Sequence, residues 1–287
     1  MKTLGIMANA GKPAALEVAA QADAYLRERG VSVRLQRRVA EELGIPGRGL
    51  SDDGVADSEA VLVLGGDGTI LATARTCASR GTPMLPVHVG HFGFLTAVAP
   101  EALGESLDCL LAGDFVEETR MMLLCETRRG GVLQDSGLAL NEVVAANGPL
   151  SRVLHLRTFI NGKYVTTYAA DGIIVATPTG STAYSLSAGG PLVHPDLQTL
   201  LVVPICPHTL TARALLIPPE AEVMVVIERD PHDMVRVTID GQLGFPLQAE
   251  DEIHIRRAPY QAKFLSVGGA DFYDKLQSKL HWGETLY

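Results

Sequence analysis

Hydrophobic and polar positions follow two different patterns along the chain, and the change falls near residue 115. Before that point, short apolar runs are separated by longer segments whose apolar residues lie three or four positions apart. Continuous apolar runs predict buried strands, alternating apolar and polar residues predict the strand at 31–35, and the longer spacing predicts amphipathic helices. The predicted strands are residues 3–7, 31–35, 60–64 and 84–89, and the predicted helices are 14–29, 69–80 and 101–112. This alternation predicts a parallel sheet covered on both faces.

After residue 115, short β-rich runs dominate and are separated by turn signals such as Asn161-Gly162 and Asp240-Gly241. The predicted strands are residues 121–126, 153–160, 163–167, 172–176, 215–217, 222–227, 235–239 and 252–256. One helix is predicted near residues 182–187, and the tail at 271–280 has a helical pattern.

The two patterns together predict an α/β + β fold. We expect an N-terminal α/β parallel-sheet domain at residues 1–115, to which the tail at 271–287 returns as a helix. The remaining residues, 116–270, are expected to form a mostly-β domain. No internal repeat or low-complexity linker separates the two.

Composition narrows the class of protein. Of 287 residues, 47% are hydrophobic and 20% are charged, with a net charge of −9 and no long Lys/Arg run, which disfavours nucleic acid or an acidic membrane as partner. No apolar run reaches the ~18 residues of a membrane span, and no signal-peptide pattern is present. The four cysteines are too widely spaced for a CxxC pair, so we expect buried thiols in a cytoplasmic protein.

The turn Gly65-Gly66-Asp67-Gly68 follows a predicted buried strand and precedes Thr69 at the start of a predicted helix. Glycine amides at a strand end can cradle phosphate oxygens, and the N-terminal end of a helix favours the same anion. Asp67 then has two interpretations: a turn or helix-capping residue, or a carboxylate that takes a proton or holds Mg²⁺ beside a phosphate.

Two better-known phosphate-binding motifs are absent. Gly11-Lys12 is followed by Pro13 and has no glycine five positions before it, so it is not a Walker loop. Leu71 stands where a third glycine of the dinucleotide fingerprint would be required.

A second informative segment is TPTGSTAYSLSAGGPLVHP at residues 177–195. It contains no GxSxG elbow, which argues against a serine hydrolase. Its hydroxyls and glycines suit ribose and phosphate, with Tyr184 available for a base; the alternative is a polar connection with a capping box. The pair Asn141-Glu142 could hold vicinal sugar hydroxyls, or could be a solvated strand end. His88 and His91 lie three apart but lack a third metal ligand.

Taken in order, GGDG, HVGHFGFLT, NEVV, the long TPTGSTAYSLSAGGP run and CPHTLTAR strongly resemble the NAD kinase family. The resemblance covers nearly the whole chain. It implies transfer of a phosphoryl group from ATP, or from polyphosphate, to the adenosine 2′-hydroxyl of NAD to give NADP. It also implies an α/β domain followed by a β domain, Mg²⁺ bound with the donor and no metal site of the protein's own.

The same resemblance implies roles for individual residues. Asp67 would be the general base, in a phosphate loop with Gly65, Gly66, Gly68 and Thr69. The residues that would bind NAD are Asp67, Gly68, Asn141, Glu142, Arg152, Asp171, Thr182, Ala183, Tyr184, Ser187 and Gln242. The family forms dimers and tetramers, so a homo-oligomer is expected.

Two positions depart from the family pattern. His88 stands where members usually have Asn. Ala169 stands where some members carry a basic residue near the nicotinamide, and a small neutral residue there would relax the discrimination between NAD and NADH. Two rival functions remain open: a diacylglycerol or sphingosine type of lipid kinase, which shares GGDG, and a non-catalytic NAD(P) sensor.

Overall fold

The computed structural model describes residues 1–90, 93–96, 98–148, 153–228, 235–268 and 271–280. The chain divides into two compact units. One contains Met1–Thr119 and Gln261–Tyr287, and the other contains Arg120–Tyr260. The unit boundaries fall within two long strands, β6 (Val116–Arg129) and β17 (Glu252–Ser266).

The first unit contains a parallel sheet with helices between successive strands, as the alternation predicts. The strands are β1 (Thr3–Ala8), β2 (Ser32–Gln36), β3 (Gly49–Leu50), β4 (Ala60–Gly65) and β5 (Met84–His88). The helices are α1 (Pro13–Glu28), α2 (Arg37–Glu42), α3 (Asp52–Ala56), α4 (Asp67–Ala78) and α5 (Leu103–Ala112). The strand order is β3-β2-β1-β4-β5, and Phe264 of β17 pairs in parallel with Met84 of β5.

Burial explains the pattern of this unit. All six residues of β4 are buried, because a central parallel strand has helices on both faces. Helix α1 has Pro13 in its first turn, where the missing N–H costs nothing, and it buries Ala15, Ala19 and Leu26 against the sheet. Gly30, with φ of +74°, follows the end of this helix.

The second unit is built mainly from antiparallel strands. Its strands besides β6 and β17 are β7 (Val132–Ala139), β8 (Glu142–Ala146), β9 (Leu154–Ile160), β10 (Lys163–Ala170), β11 (Gly172–Ala176), β12 (Leu200–Ile205), β13 (Leu215–Ile217), β14 (Val223–Ile227), β15 (Arg236–Ile239) and β16 (Leu243–Pro246). One sheet has the order β13-β12-β11-β8-β15-β16. A second layer pairs β10, β9, β14 and the first part of β17, and one apolar core contains side chains from both layers.

The tail forms helix α7 (Phe272–Leu280) and belongs to the first unit. Leu276 is buried, and the Lys275 ammonium donates to the Phe94 carbonyl oxygen over 3.3 Å. The predicted fold class, with an α/β domain, a β-rich domain and a returning C-terminal helix, is therefore confirmed.

Two expectations need correction. Helix α4 begins at Asp67 and not at Thr69, because Gly66 takes the extended N-cap conformation and the next residues are already helical. Cys77 and Cys125 are buried, and burial raises the pKa of each thiol to about 12, but Cys206 is exposed with φ of +45°. None of the helices in the described ranges is both long and apolar enough to cross a membrane.

Candidate active site

The GGDG turn joins the central strand β4 to helix α4. A Cβ atom at Gly65 would overlap with the Thr69 hydroxyl in the first turn of the helix, so this position needs glycine for close approach. A Cβ at Gly66 would meet nothing within 4 Å. Gly68 is exposed at the helix start. The turn therefore brings the N-terminal end of α4 to the edge of the sheet.

Asp67 does not cap its own helix. It is the first residue of α4, and its carboxylate accepts hydrogen bonds from the backbone amides of Phe94, at 3.1 Å, and Leu95, at 3.3 Å. The capping interpretation of this aspartate is therefore wrong. A distant loop of the same unit orients the carboxylate, which stays partly exposed.

Gly93 makes this contact possible. A Cβ atom at Gly93 would overlap with the carboxylate group of Asp67. The Gly93 amide donates to the hydroxyl of the fully buried Thr96 over 3.0 Å, which fixes the loop. Sequence reasoning gave no role to Gly93, Phe94 or Leu95, although all three lie within the HVGHFGFLT motif.

The turn lies at the point where the sheet reverses its strand order. The chain builds β2 and β3 on one side of β1, then returns to place β4 and β5 on the other side. Ligands of open α/β sheets bind at the carboxyl ends of strands at such a switch point. The loops there are tied together, because the Asn9 amide donates to the Leu64 carbonyl over 3.0 Å and the Val89 amide to the Gly65 carbonyl over 3.1 Å.

Lys12 lies in the loop that follows β1 at this switch point. Its amide donates to the Asn9 carbonyl over 3.0 Å, and the Asn9 side chain accepts from the Gly11 amide over 3.1 Å. A Cβ at Gly90, in the loop after β5, would lie 3.5 Å from the Lys12 ammonium nitrogen. Across the described part of the chain, no carboxylate forms an ion pair with Lys12. Lys12 is also exposed, so its ammonium is a positive charge without a described carboxylate partner near the GGDG turn.

In the second unit, a buried aspartate holds the Asn141-Glu142 pair at the start of β8. The carboxylate of Asp240 accepts from the amides of Leu140, Asn141 and Glu142 at 3.1, 2.8 and 3.2 Å. Asp240 and Gly241 have φ values of +50° and +63°, as a type I′ hairpin turn between β15 and β16 requires. The turn thus delivers a carboxylate to three successive backbone donors.

Glu142 is buried, with 6% of its surface exposed, and its Oε2 atom has no hydrogen-bond partner among the described residues. Burial and, after it, the negative charge of Asp240 raise the pKa of this carboxyl to about 7, against one hydrogen bond from the Tyr184 amide. Oδ1 of the neighbouring Asn141, 8% exposed, also lacks a described partner. Two adjacent buried acceptors without partners are typical of a ligand site, since buried polar atoms are otherwise satisfied.

The polar segment after β11 packs directly onto this pair. The Thr177 hydroxyl donates to the Leu140 carbonyl over 2.6 Å and accepts from the Gly180 amide over 3.1 Å. A Cβ at Gly180 would overlap with the backbone carbonyl of Asn141. The Ser185 hydroxyl is buried without a described partner. Thr177, Gly180 and Ser185 were not predicted as site residues, and only their position within the Ser/Thr/Gly run marked them.

Comparison with known proteins decides the family. The model of the ATP-NAD kinase N-terminal domain matches residues 4–115, and that of the ATP-NAD kinase C-terminal domain matches residues 140–267. The NAD kinase of Moorella thermoacetica is 44% identical, covering 99% of this chain and 90% of the relative. The NAD kinase of Desulforamulus reducens is 42% identical over the full length of both. This chain belongs to the NAD kinase family.

Solved structures share the fold of this chain. A yeast NADH kinase complexed with NADH superposes with a TM-score of 0.89 at 25% identity, covering 100% of this chain and 89% of the other. An NAD kinase from Archaeoglobus fulgidus in complex with ATP gives 0.76 at 24% identity, covering 97% and 98%, and shares the fold.

Several residues predicted from the sequence to bind NAD lie on the segments that are hydrogen-bonded to residues 140–142. The half-buried Thr182 and Ala183 and the exposed Tyr184 and Ser187 belong to the short helical turns Thr179–Thr182 and α6 (Tyr184–Ser187). These turns follow the end of β11 that pairs with Glu142. The exposed Gln242 closes the hairpin turn after Asp240, and its amide donates to the Ile239 carbonyl over 3.0 Å.

The structure does not bring Asp171 to Glu142. Ala176 pairs with Glu142, whereas Asp171 precedes the opposite end of β11, roughly 17 Å away at strand spacing. Ala169 is partly buried, and its carbonyl accepts from the His208 amide over 2.8 Å. His88 ends β5 and its amide donates to the Val98 carbonyl over 2.9 Å. Arg152 and His91 lie outside the described residues.

Proposed function

We propose that this chain is an NAD kinase that transfers the γ-phosphoryl group of ATP to the adenosine 2′-hydroxyl of NAD, giving NADP and ADP. The single observation that carries the substrate assignment is the pair of buried, unpartnered acceptor oxygens on Asn141 and Glu142. Adjacent amide and carboxyl oxygens accept hydrogen bonds from the vicinal hydroxyls of a ribose. The family of the chain, and the NADH in the yeast relative's structure, support a dinucleotide over a lipid acceptor.

The remaining predicted contacts suit an extended dinucleotide. Thr182, Ala183, Tyr184 and Ser187 would bind beside the adenosine ribose, and Gln242 would close this end of the pocket. Asp171, at the other end of β11, would bind the far part of the same molecule. We also assign Arg152 to NAD, on the resemblance alone.

The donor phosphates would lie at the switch point of the first unit. Gly65, Gly66, Gly68 and Thr69 form the turn at the N-terminal end of α4, where backbone amides and the helix dipole favour phosphate oxygens. Lys12 is the cation placed beside it. The two matching family models, which describe ATP-NAD kinase domains, support ATP as donor; polyphosphate remains a second donor to test.

Asp67 would act as the general base. As the ribose 2′-oxygen forms its bond to the γ-phosphorus, the bond from that phosphorus to the β-bridging oxygen breaks, and the 2′-hydroxyl proton moves to the Asp67 carboxylate. The amides of Phe94 and Leu95 would hold this carboxylate in one orientation. A positioned general base contributes about 10²–10⁴ in rate.

Mg²⁺ would arrive with the donor. In the described ranges, no group of three or more His, Cys, Asp or Glu residues is arranged to hold a metal ion. Asp67, the carboxylate at the proposed phosphate site, already accepts hydrogen bonds from two amides. The described residues alone therefore do not fit a Mg²⁺ ion held by the protein, and we derive no step through one. The triphosphate supplies oxygen ligands of the kind Mg²⁺ prefers.

We further propose a cytoplasmic homodimer or homotetramer.

The first experiment is a coupled assay for NADP formation with purified protein, NAD, ATP and Mg²⁺, run with Asp67→Asn and Asp52→Asn. Asp52 is a matched control, because it is also the first residue of a helix in the same unit. We expect Asp67→Asn to lose about 10²–10⁴ in kcat while it still binds NAD, and Asp52→Asn to match wild type. Unchanged kcat in folded Asp67→Asn would exclude the general-base role.

The same assay separates the rival functions. NAD binding without NADP formation by wild type, with ATP or with polyphosphate, would indicate a sensor. Phosphorylation of diacylglycerol or a sphingoid base without NADP formation would indicate a lipid kinase.

A further inference from the structure

Asp240 is buried in the second unit and uses both carboxylate oxygens for protein donors. Only 6% of its surface is exposed, and three consecutive amides, from Leu140 to Glu142, donate to it. A carboxylate that accepts three amide hydrogen bonds is strongly held in its ionised form. Its own amide donates to the Glu142 carbonyl over 3.0 Å, so the hairpin turn and the Asn141-Glu142 segment are tied in both directions.

The side chain of Glu142 faces this fixed negative charge with little to offset it. Glu142 accepts one hydrogen bond from the Tyr184 amide, and its Oε2 atom has no described partner. On the neighbouring β11 and the helical turns after it, Tyr184 is the one ionisable side chain up to residue 188. On β15 and β16, the ionisable groups are Arg236, at the far end and bound to the Gly244 carbonyl, and Asp240 on the turn between them.

We propose that Asp240 is a positioning residue that aims Asn141 and Glu142 at a vicinal diol and, through its charge, couples binding of that diol to release of one proton from Glu142. The inference rests on the proposed NAD kinase function and deepens it, because the diol is the adenosine ribose of NAD. Nothing in the established family assignment requires binding to release a proton.

The sign of the coupling follows from the chemistry. In the free protein, burial and Asp240 raise the pKa of Glu142 to about 7, so below that pH the carboxyl is mostly protonated. The ribose hydroxyls are donors, and charge-assisted bonds to a carboxylate are the stronger ones. Binding therefore lowers the pKa of Glu142 and expels its proton. The Kd for NAD should rise about tenfold for each pH unit below 7, until the bound carboxyl also becomes protonated.

The test is calorimetric titration of the purified full chain with NAD between pH 5.5 and 8.5, without ATP. Each titration is repeated in two buffers of different ionisation enthalpy, which counts the protons released. We compare wild type with Glu142→Gln, Asp240→Asn and the matched control Glu220→Gln, an exposed glutamate of the same unit. Circular dichroism establishes that each variant is folded.

We expect wild type and Glu220→Gln to release close to one proton at pH 6 and none at pH 8.5. Glu142→Gln should bind NAD at least tenfold more weakly at pH 8 and lose the acid limb. Asp240→Asn should move the midpoint of the acid limb to lower pH as well as weaken binding. A purely structural Asp240 would weaken binding and leave the midpoint where it is.

An unchanged midpoint in folded Asp240→Asn, or an acid limb retained in Glu142→Gln, overturns the inference. So does a wild-type Kd that does not vary with pH, which needs no variant to fold. In that case NAD still binds and the proposed function stands. Absence of NAD binding at every pH overturns both together.

Discussion

The two acidic sites of this protein treat their carboxylates in opposite ways. In the first unit, Asp67 is partly exposed and two loop amides donate to it. In the second unit, Glu142 is buried beside another carboxylate and one amide donates to it. The donors at the first site hold the carboxylate in one orientation before any ligand arrives. The second site leaves the stabilisation of its charge to the ligand, so the same functional group serves orientation at one site and binding at the other.

The substitution with the largest expected effect is Gly180→Ala, which acts on the second site. A Cβ there would overlap with the backbone carbonyl of Asn141, which no side-chain rotation relieves. We expect Gly180→Ala to lower the free energy of unfolding by about 3 kcal/mol or more and to abolish NAD binding. Thermal denaturation and NAD titration measure the two effects.

Gly47→Ala is the control for Gly180→Ala, since a Cβ at Gly47 would meet nothing within 4 Å. Wild-type stability and wild-type NAD affinity in Gly180→Ala would show that the segment does not need its close contact with Asn141.

Gly93→Ala should act on the first site alone. Its Cβ would displace the Asp67 carboxylate from the amides of Phe94 and Leu95, in a loop that is partly exposed. We expect kcat to fall about 10²-fold, the low end of what a misplaced general base costs, with a small change in melting temperature. The result that would contradict this is a normal kcat in the folded variant, because the amide-held orientation would then be dispensable.

A smaller effect is expected at Lys12, where one ammonium faces the phosphate site. Lys12→Ala should raise the KM for ATP roughly tenfold, as loss of one charged hydrogen bond of about 1.5 kcal/mol implies, and leave the KM for NAD unchanged. Steady-state kinetics at low and high salt measure both constants. Lys163→Ala, an exposed lysine of the second unit, is the control. Equal rises in both KM values would argue against a donor-specific role.

Local patterns predicted most of the first unit because β1, β4 and β5 are mainly apolar runs and β2 alternates apolar with polar residues. Elements with mixed sequence signals were either not predicted or predicted too short. Strand β12 is fully buried but contains Pro204, which in a sequence argues against a central strand. Strand β17 was predicted to end at residue 256 and continues through Pro259 to Ser266. Whether a proline is tolerated depends on the hydrogen bonds of the neighbouring strand, and these are not local.

The site residues also divide into those that a local motif marks and those that only the folded structure brings together. Asp67, Asn141 and Glu142 stand in short motifs and were named from the sequence. Gly93 became significant only when folding brought it against Asp67. Asp240 contacts Asn141 across 99 residues of chain, so no spacing rule could connect the two.

The order of segments along the chain also has a consequence during synthesis. The second unit, Arg120–Tyr260, is continuous, whereas the first includes Gln261–Tyr287. The strand that pairs with β5, the buried Leu265 and the lysine that binds the Phe94 carbonyl all leave the ribosome after the second unit is complete. Domains generally fold as units while the chain emerges. The site around Glu142 can therefore form on the nascent chain, while the loop that orients Asp67 gains its last support only after the whole second unit has been synthesised.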